Sequence, residues 1–514
     1  MLARVYSYGF IGISGFSVIV EVDVSTGLPV IDVVGLPDAA VKESKERVRL
    51  AIKNSGYKYP DVRITVNLAP ADIKKEGPIF DVPIAVGILM ASGSLVFDQS
   101  TLKGTLLLGE LGLDGSVRPV NGILPMVIDA KANGYKTIIL PQENADEAAY
   151  VEGIDIIPID SLTQLVNHLN GTSILKPIIK KSFSKLMDNS IYSDDFSLIK
   201  GQQMAKRAME IAAAGGHNIL LIGPPGSGKT MLAKSALTIL PDMTFEEALE
   251  VTKIHSVAGK LKGTKGIITQ RPFRSPHHST STPALTGGGS KAQPGEISLA
   301  HFGVLFLDEL PEFKRDALEA LRQPLEDGVV SISRVHASIS YPADFMLIAS
   351  MNPCPCGNFG SKNKECRCTP YQIQQYLNRV SGPLLDRIDI QVEMNDITIE
   401  DINAGNSLPC ESSDDIKKRV NRARETQLKR YSKNGIFNNA QLDNKLLKTY
   451  CKLDDDANAL LEAAFRSLKL SARAYTKMLK VSRTIADIEG SQSIKKEHIA
   501  EAIQYRGMQG KYWK

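Results

Sequence analysis

Eight consecutive residues, Gly223-Pro224-Pro225-Gly226-Ser227-Gly228-Lys229-Thr230, follow the pattern G-x-x-x-x-G-K-[ST]. Glycines at this spacing let backbone N–H groups turn inward around phosphates, and a helix N-terminus behind them adds partial positive charge. In that arrangement the Lys229 ammonium reaches the β- and γ-phosphates and the Thr230 hydroxyl binds Mg2+. Further along, Gly303–Glu309 is an apolar run closed by two carboxylates, Asp308 and Glu309. The first is placed to hold Mg2+, directly or through water, and the second to orient and polarise an attacking water. The chemistry that these residue types support together is hydrolysis of a nucleoside triphosphate.

Three more stretches carry chemistry. The apolar run Phe345–Ser350 is followed by Asn352, whose amide would contact the γ-phosphate or the attacking water. Ser381–Asp389 contains Arg387, a cationic fork suited to charge on a transferring phosphoryl group in a neighbouring subunit's site. Arg379 is the alternative for that role, and a salt bridge within Asp386–Asp389 is the purely structural reading. Cys354 and Cys356, then Cys366 and Cys368, form two C-x-C pairs separated by residues 357–365. Four thiolates can complete a tetrahedral Zn2+ site in a loop with little core of its own. The alternative is four reduced thiols.

These residues need a strand, loop and helix to hold them. His217–Ile222 reads as a buried parallel strand, Met231–Leu240 as the helix after the phosphate loop, and Met204–Ala214 as a helix before the strand. An insertion between the phosphate loop and the paired carboxylates holds Arg271, Arg274, His277, His278 and Gly287–Gly289. Without neighbouring cysteines or an H-E-x-x-H pattern, the histidines read as part of a loop for a substrate or a neighbouring subunit. Upstream, the chain reads as mixed α+β: a strand pair at the N-terminus, alternation through Val20–Val24, an amphipathic helix over Ala39–Asn54, a strand at Val62–Val66 and a buried helix at Pro83–Met90. Strands at Thr105–Leu108, Thr137–Leu140 and Asp155–Ile157 alternate with helices over Leu124–Asn133 and Leu162–Leu169. The expected division is a domain over 1–171, a Lys- and Ser-punctuated solvated linker over 172–195, an ATPase core over 196–395 and a helical domain over 396–514. In the last, Ser471 is placed to cap the helix Ala472–Glu489, and Asp414–Arg430 reads mostly as a solvated charged face.

At 514 residues with a formal net charge of +4, the chain is long enough for several cores, and its charge neither demands nor excludes nucleic acid. Six cysteines, four of them crowded together, do not form a secreted disulfide framework, and Cys410 and Cys451 read as ordinary thiols. The N-terminal apolar residues are interrupted by Gly9, Gly12 and Gly15, unlike a signal peptide, and Val82–Val96 is too short to cross a bilayer. The expectation is a cytoplasmic protein without membrane contact.

Lys75–Asp81, Gly109–Gly115 and Tyr135–Glu143 resemble the proteolytic domain of Lon-type proteases, which has a ribosomal-protein-S5-like fold. Matched by motif, the nucleophilic serine position holds Ile79 and the lysine base position holds Leu124, so the resemblance implies a non-proteolytic relative. Asn352 matches sensor 1 of AAA+ ATPases and Arg473 matches sensor 2. With the stretches Ser275–Ser281 and Gly295–Phe313, these motifs resemble the magnesium-chelatase-subunit-like AAA+ ATPases, and within them the ComM/YifB family, over nearly the whole chain. The fold implied is α/β multidomain: an S5-like α+β domain, a P-loop α/β core and a helical C-terminal lid. The resemblance implies a hexameric, ATP- and Mg2+-dependent motor on single-stranded or branched DNA, supporting branch migration in natural transformation beside recombination proteins. A chelatase-like protein-remodelling or metal-insertion ATPase is the competing reading, and an ATP-dependent protease the third.

Overall fold

The computed structural model describes residues 2–96, 102–183, 195–261, 266–289, 292–333, 338–361, 364–396, 411–467 and 470–513. Two compact units share the chain: one is Met1–Asn189 with Phe245–Thr269, the other Ser190–Thr244 with Gln270–Lys514. Cys410 and residues 184–194 of the expected linker lie outside the described residues.

In the first unit, Ala3–Ile11 and Ser14–Ser25 form an antiparallel pair, the second strand with alternating Val18, Val20 and Val22 facing the core. Arg63–Ala69 pairs antiparallel with the second of these and parallel with Ile31–Val34, completing a four-stranded sheet. Against it lies the helix Asp81–Ala91, every residue of which is buried. Its polar member, Asp81, is held by both Arg47 Nε at 2.8 Å and Arg47 Nη2 at 3.1 Å, and by the Leu111 N–H at 3.2 Å. Burial nonetheless lifts the Asp81 carboxyl to about 6 against the pull of Arg47. A three-stranded parallel sheet, Thr105–Leu107, Thr137–Pro141 and Asp155–Ile159, completes the α+β unit. Ile79 and Leu124 are both buried in its hydrophobic core.

In this unit two segments depart from the sequence reading. Phe245–Thr269 falls inside the stretch read as the ATPase core, yet it belongs to the first unit. The helix Phe245–Val257 joins it through Ser256, whose Oγ donates to the buried Glu147 at 2.7 Å and whose carbonyl accepts from the Gly122 N–H. The described start of the expected solvated linker is not free either. Leu175 and Ile178 pack on the first unit's core, the Ile178 N–H bonds the Ile156 carbonyl at 2.9 Å, and Lys181 pairs with Asp146. Spaced aliphatic residues among lysines are enough to lay that segment along the strand Asp155–Ile159.

The second unit is built on five parallel strands in the spatial order Phe273–Arg274, Val304–Leu307, Met346–Met351, Ile219–Ile222 and Ile390–Glu393. Uninterrupted apolar runs form them because both faces of the sheet are covered. Covering helices include Gln203–Gly215, Lys229–Ile239, Ser413–Tyr431 and Ala472–Ile488, the last capped by Ser471, which accepts from the Ala474 N–H. Much of Ser413–Tyr431 is not a solvated face. Val420, Ala423, Arg424 and Gln427 are buried, and Arg419 and Arg430 are committed to Glu210, Glu411 and Asp487. Asp487, itself buried, accepts from Arg430 Nη1 at 2.8 Å, Arg483 Nε at 3.1 Å and Asn439 Nδ2 at 2.9 Å. Breaking a buried pair from one side leaves uncompensated charge, here two guanidiniums. Asp487→Ala should therefore cost about 3–5 kcal/mol, measured as a drop in the urea midpoint of the helical segments.

Candidate nucleotide site

Parallel strands place their C-terminal ends, and whatever polar residues follow, along one edge of the sheet, where ligands of such folds bind. Met346–Met351 lies between Val304–Leu307 and Ile219–Ile222 in register, with Leu307 opposite Ala349 and Ile222 opposite Met351. The three segments that the sequence reading singled out therefore emerge side by side. The strand before the paired carboxylates stops at Leu307, so Asp308 and Glu309 stand beyond it on the edge, where a ligand can reach them.

The phosphate loop bridges Ile219–Ile222 and Lys229–Ile239. Gly228 takes φ 88°, in the left-handed region, directly before the helix. At Gly223 a side chain would press to 2.7 Å of the Met394 carbonyl and 3.0 Å of Ser227 Oγ. The Lys229 ammonium donates to the carbonyls of Gly223 at 2.7 Å and Pro224 at 2.8 Å, and to Asn352 Oδ1 at 3.2 Å. Burial lowers its pKa to about 8, although Asp308 and Glu309 pull the other way. Thr230 Oγ1 donates to Asp308 Oδ2 at 2.9 Å, and the hydroxyl of the buried Ser350 donates to the other Asp308 oxygen. A hydroxyl and a carboxylate side by side are the hard oxygen donors that suit Mg2+. Lys229, Thr230, Asp308 and Asn352 thus form one cluster.

Glu309 is next to it in an unusual backbone state, φ 54° and ψ 50°, which costs a non-glycine residue roughly 1–2 kcal/mol. Its N–H bonds Asp308 Oδ1 at 3.1 Å, and its carboxylate lies 3.7 Å from His278 Nδ1. The insertion histidines, which the sequence placed only in a loop, therefore stand at this site: His278 beside Glu309, with the His277 ring tilted against it at a centroid distance of 4.0 Å. Arg274 instead pairs with Glu296 at 2.5 Å, and Arg271 bonds the Pro241 and Phe302 carbonyls.

Arg387 and Arg473 do not join the cluster. Both bind Glu326: Arg387 through Nη2, and Arg473 through Nη2 at 3.3 Å. Arg387 also bonds the Arg322 and Pro383 carbonyls, at 3.1 and 2.8 Å. Arg379 pairs with Glu312 at 2.9 Å beside a cavity of about 540 Å3 that both residues line with Tyr371 and Gln374. Sequence reasoning missed Ser350, Glu326 and the reach of His278. Ser350 had a signal, since it is the last polar residue before Asn352 on a buried strand. Glu326 had none: an acid in a charged helix pairs with remote arginines only through folding. The cysteines do converge, with the four Sγ atoms within 4.8 Å of one another, and all four are free thiols.

Sequence profiles for magnesium chelatase cover most of the chain: "Magnesium chelatase, subunit ChlI" matches residues 195–402, "Subunit ChlI of Mg-chelatase" 20–144, and "Magnesium chelatase, subunit ChlI C-terminal" 410–506. Competence protein ComM of Haemophilus influenzae is 46% identical over 99% of this chain and 98% of its own. The uncharacterised protein YifB of Escherichia coli is 45% identical over 99% of this chain and 97% of its own. Lon protease 2 of Bacillus subtilis is 30% identical over 25% of this chain and 22% of its own length.

The depressed Lys229 makes phosphate binding pH-dependent. In the free protein the lysine is charged below about 8 and neutral above it, so nucleotide affinity should hold from pH 7 to 8 and then fall, by up to about tenfold per pH unit. Titration of the full chain with a fluorescent nucleotide checks this, and Lys229→Arg should flatten the profile while weakening binding throughout.

Proposed function

The chain belongs to the magnesium-chelatase-like AAA+ ATPases of the ComM/YifB family, and from that premise we propose that it is a ring-forming motor that uses ATP hydrolysis to act on DNA, serving branch migration of incoming strands during competence. The observation that carries the reading is end-to-end similarity to a competence protein, at 46% identity over 99% of the chain. The clustered Lys229, Thr230, Asp308 and Asn352 supply the hydrolytic part. ATP is the substrate and Mg2+ its companion, held by Thr230 and Asp308, where it would neutralise charge on the phosphates. Gly223 to Gly228 wrap the phosphates, Lys229 moves from its carbonyl partners onto the β- and γ-phosphates, Asn352 contacts the γ-phosphate or water, and Glu309 orients that water. Arg473 reaches the nucleotide from the helical segment, and Arg387 serves a neighbour's site in a homo-oligomeric, hexameric ring. Both arginines leave Glu326 to do so. The cysteine cluster is a structural Zn2+ site, and the buried Ile79 and Leu124 leave the Lon-like domain without nucleophile or base. Single-stranded or branched DNA is the substrate polymer, recombination proteins are partners, and the cytoplasm is the location. Among the described residues no helix is long and apolar enough to cross a membrane. The chelatase profiles favour a second reading, an ATPase that remodels a protein or inserts a metal.

Steady-state ATPase assays with single-stranded, duplex and branched DNA separate the two readings. Stimulation by DNA, strongest with branched forms, is expected; a rate indifferent to every DNA would discard the DNA reading. Glu309→Gln should bind ATP normally and hydrolyse it roughly a hundredfold more slowly.

The shared site has its own test. Lys229→Ala and Arg387→Ala should each be inactive alone, yet recover activity when mixed and allowed to exchange subunits. About a quarter of the interfaces then pair an intact loop with an intact arginine. Rescue with Arg379→Ala in place of Arg387→Ala would move the role to Arg379.

A further inference from the structure

The cysteine loop begins two residues after Asn352, the residue that holds the Lys229 ammonium. Its thiols are arranged as metal ligands. Cys354 Sγ lies 3.4 Å from Cys356 Sγ and 3.8 Å from Cys366 Sγ, and Cys356 to Cys366 is 3.7 Å. A tetrahedron of sulfurs about 2.3 Å from a central Zn2+ has edges of about 3.8 Å. A backbone N–H already points at one of the sulfurs: Phe359 donates to Cys354 at 3.3 Å. Such donors orient and tune thiolate ligands.

The same loop touches the nucleotide site from behind. Gly357, at φ 79°, lies so close to the phosphate loop that a Cβ there would meet Pro225 Cδ at 2.5 Å and Asn352 Cγ at 3.8 Å. Farther along, Ser361 Oγ donates to Asp396 at 2.6 Å, and the Phe359 ring lies edge-on to Tyr512 at 6.4 Å. Tyr512 in turn donates to Glu393, the last residue of an outer strand of the sheet, at 2.6 Å. Among its described residues, the loop buries little of its own apart from Cys354 and Gly357, with Phe359 still 37% exposed. Contacts of this kind hold their places only if something inside the loop fixes it.

We propose that the four cysteines bind one Zn2+ whose cage braces Pro225 and Asn352, so that metal occupancy sets the protein's affinity for nucleotide. This rests on the zinc assignment above. The cage fixes the turn at Gly357, the turn supports the phosphate loop through Pro225, and Asn352 keeps Lys229 aimed along the strand edge. Loss of the metal frees the loop and with it both supports, while the sheet and its apolar core stay formed.

The full chain should be purified from zinc-replete medium and its metals counted by mass spectrometry, with nucleotide affinity read by a fluorescent ATP analogue in excess Mg2+. One zinc per chain is expected. Stripping it with a zinc-selective chelator should weaken nucleotide binding roughly tenfold, equivalent to about 1.4 kcal/mol, with unchanged far-UV circular dichroism and recovery on adding Zn2+. Gly357→Ala provides an independent arm: it keeps all four thiols and should retain zinc, yet lose affinity because its Cβ displaces Pro225. Protein that carries no metal, or iron, overturns the zinc assignment. Protein that carries zinc but binds nucleotide equally well after stripping and in Gly357→Ala overturns the coupling and leaves the assignment standing.

Discussion

Everything at the nucleotide site depends on the backbone register of three parallel strands. Hydrogen bonds tie Met346–Met351 to Val304–Leu307 on one side and Ile219–Ile222 on the other. A slip by one residue would turn each strand's side chains to the opposite face. It would also carry Ser350 and Asn352 away from Asp308 and Lys229. The buried apolar faces of these strands hold the register, because a slip exchanges which residues meet the helices on each side. The polar chemistry at the edge is thus positioned by apolar burial in the sheet, and none of its own hydrogen bonds has to carry the fold.

A second constraint is charge. Each cation with a proposed part in the chemistry is already engaged within the chain: Lys229 by two carbonyls and Asn352, Arg387 and Arg473 by Glu326. The largely buried Lys229 and Arg387 demand partners, and a phosphate can win them only by offering a stronger acceptor. Burial depresses Lys229 to about 8, since carbonyl dipoles replace water poorly. Glu326 holds two arginines from distant parts of the chain, so it ties the helix before the Val329–Ser333 strand to both of them. Glu309 stands beside His278 in a left-handed backbone state, the strained position at this edge.

The first unit makes a different use of the same physics. Ile79 and Leu124, which the sequence reading matched to the reactive positions of Lon-type proteases, contribute to its apolar core. Asp81, in the same motif, remains polar and is held by Arg47 and a backbone N–H, an arrangement that fixes two helices together. Phe245–Val257 adds its Ser256 to Glu147, so a segment that follows the phosphate-loop helix in the chain is structurally part of this unit.

The sequence by itself determined the fold class, the family and the candidate cluster on the sheet edge, because each is written in local patterns. A glycine loop between an apolar run and a helix, an apolar run ending in Asp308 and Glu309, and another leading to Asn352 each fix a backbone geometry within a few residues. The helix Ala39–Asn54 was legible to its ends for the same reason, with Asp38 capping an amphipathic period. Only the tertiary structure decided which of these elements touch. Spacing along the chain carries no information about partners brought together by long-range packing, so Glu326 as the shared partner of Arg387 and Arg473, and His278 beside Glu309, had no local signature. The linker's Leu175 and Ile178 were misread because two aliphatic residues among lysines look solvated until a strand edge is present to receive them. The placement of Phe245–Thr269 in the first unit was hidden likewise: Phe245–Val257 buries polar Glu247, Thr252 and Ser256 along with its aliphatic residues, and only folding supplies their partners.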